Sequence, residues 1–217
     1  KQKFRIEDKV KAELIGTGKV TTPVSLIFHG IKQLNASLTM GNYFFKDLKE
    51  EGIVLYDSDK FKLAHPKKLM PEQYRQKAQD HFDQWFTSAN EFLIDFQHAL
   101  ERSSLHKAAF YLHQAVEQFY TTVLLVFTDY RPKDHNLETL GIKVEMCDMR
   151  FAVFPKITDE EKHRFELLKR AYIDARYKMD EYQITKDELA YLAERVNELK
   201  KLTEEICGER IEEIGRQ

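Results

Sequence analysis

From Pro71 to Ile206 the apolar residues recur at the three- and four-residue spacing of one helical face, and this periodicity constrains the fold more than any other feature of the chain. The first run spans Pro71 to Glu101, with Pro71 at a first helical position and Glu72 in the first turn. A second run spans Leu105 to Phe127, and a third, shorter one runs from Leu137 to about Met149. A fourth helix opens at "TDEE", where Thr158 and Glu161 have the spacing of a capping box. A fifth opens the same way at Thr185 and Glu188, repeats Leu189, Leu192, Val196, Leu199, Leu202 and Ile206, and meets Gly208 as a predicted stop. Five such runs joined by short connections predict a helical bundle over residues 71–217.

The first 57 residues read differently. "KVKAELIG" (Lys9–Gly16), "PVSLIFHG" (Pro23–Gly30) and "IVLYD" (Ile53–Asp57) predict strands, because β-branched and aromatic residues fall between Gly and Pro punctuation. Ile31–Met40 and "NYFFKDLKEEG" predict two short helices stopped by Gly41 and Gly52. The expected fold class is therefore α+β: a small α/β piece at 1–57, a polar, basic linker at 58–70, and the all-α bundle. Charge divides along a similar line. Residues 1–70 carry 13 basic and 8 acidic side chains, leaving 21 basic and 28 acidic ones for the rest. An acidic C-terminal part is a poor general polyanion binder, so any phosphate contact there must be local. Two cysteines, Cys147 and Cys207, provide neither a metal-type spacing nor a disulfide framework, which predicts a cytoplasmic protein. No apolar run approaches the roughly 20 residues of a membrane span. The opening "KQKFRIEDKV" lacks Met, so the natural protein is expected to begin earlier.

Within "RAYIDARYKMDEYQITKDE" (170–188), Thr185 must start a helix, so "KMDEYQI" (178–184) is a helix–helix corner. Asp174, Arg176 and Tyr177 fall in the last turn before it. An arginine there is favourable to the helix dipole alone. It is also suited to hold a phosphate through two parallel hydrogen bonds. His113 and Glu117 share a face of the second helix at i, i+4, and a buried polar pair there would need partners in any case.

Leu112-His113-Gln114-Ala115 with Glu117, then Arg131-Pro132, Asp134-His135-Asn136-Leu137 and Leu140, and finally "DARY" (174–177), together resemble the HEPN family (higher eukaryotes and prokaryotes nucleotide-binding). The resemblance covers about Pro71 to Cys207. "GNYFF" followed by "EEGIVLY" is similar to the C-terminal end of small nucleotidyltransferase domains, often fused to or partnered with HEPN bundles. That family's Gly-Ser turn and Asp-x-Asp pair are missing here, so no nucleotidyl transfer is expected of this chain and it needs no cofactor. Mg²⁺ and a nucleoside triphosphate belong to a longer protein with a catalytic head.

The resemblance implies a nucleotide- or partner-binding module with His113, Gln114, Glu117, Asp174, Arg176, Tyr177 and Tyr182 as ligand-binding residues. Tyr177 or Tyr182 would stack on a base. Many HEPN toxins place a histidine four to six residues after the family arginine. After Arg176 the sequence reads Tyr-Lys-Met-Asp-Glu-Tyr-Gln, so no catalytic residue is assigned and RNA is not the expected ligand. RNA processing in a toxin–antitoxin-like system stays open as the alternative, and a non-catalytic dimerisation module as a third; by resemblance the bundle forms a homodimer. His106 and His113 lie two turns apart on one helix, too far to share a metal ion, and none is expected. His135 reads as turn and capping chemistry.

Overall fold

The computed structural model describes residues 9–10, 12–13, 26–178 and 180–216, and these divide into one unit up to Lys68 and another from Leu69 onward.

The first unit corrects the fold class. Among the described residues there is no strand. Lys9, Val10, Ala12 and Glu13, expected in a strand, are helical, and residues 26–30 are irregular. The rest of Lys9–Gly16 and residues 23–25 lie outside the described residues. Ile53, Val54, Leu55 and Tyr56 are irregular and 75–93% exposed. Their composition favours a strand, but a strand exists only where a second one completes its ladder. What does form is local. Helix α1 (Ile31–Thr39) buries Leu38, and α2 (Tyr43–Glu51) buries Phe45 and is capped by the Asn42 side chain, which accepts from the Phe45 amide. The segment after them is tied back by hydrogen bonds. Asn35 takes the Ala64 amide at 2.8 Å, Lys49 donates to the Ala64 carbonyl at 2.8 Å, and the Lys67 amide donates to the Leu38 carbonyl at 2.9 Å.

The second unit is all α: α3 (Pro71–Glu101), α4 (Leu105–Thr128), α5 (Leu137–Cys147), a 3₁₀ turn (Met149–Phe151), α6 (Asp159–Arg170), the one-turn α7 (Asp174–Tyr177) and α8 (Lys186–Gly215). The caps follow the chemistry of the sequence. Thr158 and Thr185 each close a reciprocal capping box, and Asn136 accepts from the Glu138 and Thr139 amides to start α5. Gly208 does not end the last helix. Ile211 and Ile214 continue the buried stripe beyond it, and that burial outweighs the propensity cost of an internal glycine, about 1 kcal/mol. The fourth run also breaks earlier than expected, at Arg170, so Asp174, Arg176 and Tyr177 occupy a separate helical turn.

Helix α4 positions the site. It packs against α3, α5, α6, α7 and α8, and every residue from Ala115 to Val126 is buried. A helix enclosed on all sides must be apolar almost throughout, and each polar side chain on it must find a partner inside the protein. Thr122 does so by donating to the Gln118 carbonyl one turn back. At the far end of α4 the buried Asp129 adopts a left-handed conformation (φ 54°), and its carboxylate binds Lys77 and, at 2.9 Å, His81 of α3. Cys147 and Cys207 are free thiols, and Cys207 is buried. Among the described residues no helix is long and apolar enough to cross a membrane.

Candidate functional site

His113 and Glu117 are the charged-type residues that α4 carries into the bundle, at 1% and 3% exposure. The His113 Nδ1–H donates to the Leu168 carbonyl of α6 at 2.9 Å, and Nε2 stands 3.8 Å from Glu117 Oε2. That second distance is an electrostatic contact rather than a hydrogen bond, and both atoms lack a hydrogen-bonding partner. The other oxygen of Glu117 accepts from His135 Nδ1 at 3.0 Å. Burial alone would raise the Glu117 pKa. The hydrogen bond from His135 and the electrostatic contact with His113 outweigh it and hold the carboxyl below the ordinary glutamate range.

Tyr172, in the turn between α6 and α7, gathers these groups. Its ring stacks with His113 (centroids 5.3 Å, planes 25° apart) and with His135 (5.0 Å, 12°). The Arg176 guanidinium lies 4.8 Å from the same ring, 4.7 Å from Phe110 and 5.0 Å from Tyr177. Its Nε donates to the Tyr172 carbonyl at 2.7 Å. Among the described residues Arg176 forms no ion pair, and its side chain is exposed. Tyr177 is exposed beside it.

An open cleft of about 530 Å³ lies next to this array. The loop Lys133–Leu137 forms one wall; Glu166, Lys169, Arg170, Tyr172 and Asp174 of the α6–α7 corner form the other. Charges of both signs line it. Lys169 is held between Glu166 (2.7 Å) and Glu138 (2.9 Å), and Arg170 by Asp174 (2.7 Å). Lys133 is exposed and makes no ion pair among the described residues. Also among them, no group of three or more His, Cys, Asp or Glu side chains is placed to hold a metal ion.

Of the residues singled out in the sequence, His113, Glu117, Arg176 and Tyr177 are brought together around Tyr172. Asp174 serves Arg170 at the cleft. Gln114 is half-buried, and its Nε2 has no hydrogen-bonding partner. Tyr182 is a core residue: it is 0% exposed, its hydroxyl donates to the Leu167 carbonyl at 3.0 Å, and its own carbonyl accepts from His106 Nε2 at 2.8 Å. No face of it is open for a base. His135, expected in turn and capping chemistry, instead pairs with Glu117, and Tyr172, Lys133 and Lys169 were not singled out in the sequence. The signal for His135 was present, since a glutamate in the middle of an apolar helix must be paired.

A family model described as "HEPN domain" matches residues 82–206, more than half of the chain. The chain belongs to the HEPN family. The match includes α4, the cleft and the Arg176 corner, so the array is built within the HEPN domain itself. It does not extend to residues 1–57, where the nucleotidyltransferase resemblance finds no support. No curated protein matches the chain closely enough to count as a relative.

Proposed function

We propose that this HEPN domain is a nucleotide-binding module whose ligand occupies the cleft between the Lys133–Leu137 loop and the α6–α7 corner. The observation that carries this reading is the cleft itself: its volume suits a small organic phosphate, and it is lined by the unpaired Lys133, the exposed edge of His135 and the ammonium of Lys169. Much of the other positive charge is already neutralised by Glu166, Glu138 and Asp174, so the module holds one ligand locally rather than a long polyanion. Arg176 and Tyr177 flank the array and supply a guanidinium and an exposed ring. Calorimetric titration with AMP, ATP and GTP tests the reading. A saturable heat with at least one of them, weakened about tenfold by Lys133→Ala, is expected, since a hydrogen bond to a charged group contributes roughly 1.5 kcal/mol. Absence of binding by all three would end this reading.

One observation favours RNA processing as a second reading. The histidine missing after Arg176 has a counterpart from another element, because His135 is an exposed imidazole already hydrogen-bonded to a carboxylate, the arrangement of a proton acceptor. Cleavage of an oligoribonucleotide by the purified protein, abolished in His135→Phe, would support that reading over simple binding.

A further inference from the structure

His135 has one face on Tyr172 and its Nδ1 edge on Glu117, yet its side chain is 54% exposed. Its exposure therefore lies on the opposite face and on the edge that carries Nε2, and Nε2 has no partner among the described residues. Glu117 decides what that nitrogen can do. An ionised carboxylate only accepts hydrogen bonds, so the ring nitrogen against it must carry the hydrogen. A neutral imidazole has a single N–H. With that hydrogen fixed at Nδ1, Nε2 carries a bare lone pair, on a residue that lines the cleft.

The carboxylates of the cleft wall each already hold a partner within the protein. Asp174 takes Arg170 at 2.7 Å, Glu166 takes Lys169 at 2.7 Å, and Asp134 takes the Asn136 amide at 2.9 Å. Lys133 stands two residues from His135 on the same loop. The loop thus offers a cation for a phosphate and, a short step away, an oriented acceptor for a hydroxyl. A nucleotide carries both kinds of group, a phosphate and hydroxyls, on one ribose, and both residues line the same cleft.

We propose that His135, oriented by Glu117, is the specificity-determining residue of the cleft, and that it accepts a hydrogen bond from a ribose hydroxyl so that ribonucleotides are preferred over deoxyribonucleotides. This rests on the nucleotide-binding reading. The preference is moderate, on the order of tenfold, because the acceptor is half in solvent and a deoxy ligand leaves it hydrated rather than stranded.

Two measurements test it. In titrations near pH 8, where an imidazole is ordinarily neutral, AMP is expected to bind about tenfold more tightly than 2′-deoxy-AMP. His135→Phe keeps a ring on Tyr172 and removes the acceptor, and is expected to bring the ratio to about one. Equal binding of the two ligands by the natural protein, or a ratio that persists in His135→Phe, would overturn the proposal while leaving nucleotide binding intact. The second measurement needs no ligand. Imidazole ¹⁵N shifts of His135 are expected to show hydrogen on Nδ1 and none on Nε2, and in Glu117→Gln, whose amide can either donate or accept, that fixed position is expected to be lost. Hydrogen on Nε2 in the natural protein would sink the proposal, whether or not any nucleotide binds.

Discussion

The inner and outer ends of the polar array use the same chemistry to opposite effect. His113 and His135 contact the same carboxylate and stack on the same tyrosine. His113 comes from the enclosed helix α4, is 1% exposed and turns both nitrogens toward the protein. His135 comes from a loop and turns only one nitrogen inward. A histidine's role follows from where its second nitrogen can go. Enclosed, it belongs to the architecture; left open beside a cleft, it becomes a group that can meet a ligand. Glu117 joins the two and fixes the ring position of each hydrogen only on the outer one.

This contrast can be broken by experiment. The largest effect is expected from Glu117→Ala, which removes the carboxylate facing buried His113 and the hydrogen bond that holds the His135 loop: a loss of about 3 kcal/mol in urea unfolding, in the range for breaking a buried polar network. Next come the two histidines compared directly. His113→Ala should cost about 2–3 kcal/mol through the lost hydrogen bond and the cavity, whereas His135→Ala, a half-exposed loop residue, should stay within about 1 kcal/mol. Equal losses would show that exposure does not separate their roles.

Acid sharpens the comparison further. The folded Glu117 carboxyl lies below its unfolded value, so its stabilising contribution is complete above the ordinary glutamate pKa of about 4.3 and is lost as pH falls through the lower folded value. Urea midpoints of the natural protein should therefore fall more steeply below that pH than those of Glu117→Gln, and parallel curves would contradict it. The smallest stability effect belongs to Arg176→Ala. Its guanidinium is exposed and gains mainly from the surrounding rings, so about 0.5–1 kcal/mol is expected. Its effect on AMP affinity, read by calorimetry, should exceed its effect on the melting midpoint if the corner contributes to the ligand.

Much of the bundle was legible in the residues. The extents of α3 and α4 follow from apolar spacing, and α6 and α8 begin where Thr158 and Thr185 place them. The candidate site was legible in half. His113, Glu117 and Arg176 stood out, but the groups that connect them, Tyr172 and His135, lie 55 and 18 residues from Glu117 along the chain, and no local pattern announces such a meeting. Tyr182 shows the converse. Beside a charged corner it resembles a ligand-stacking ring, yet its hydroxyl finds the Leu167 carbonyl and the ring is sealed in the core.

What the chain settled by itself was its helices, because each backbone hydrogen bond in a helix closes within four residues and each cap within three. What required the tertiary structure was everything whose partner is distant. Residues 53–56 have a strand's composition but no ladder among the described residues, Gly208 stays helical because Ile211 and Ile214 are buried beyond it, and the buried carboxylate of Glu117 acquires its imidazole from a loop. Burial makes a partner obligatory, and only the packing of the helices decides which residue supplies it.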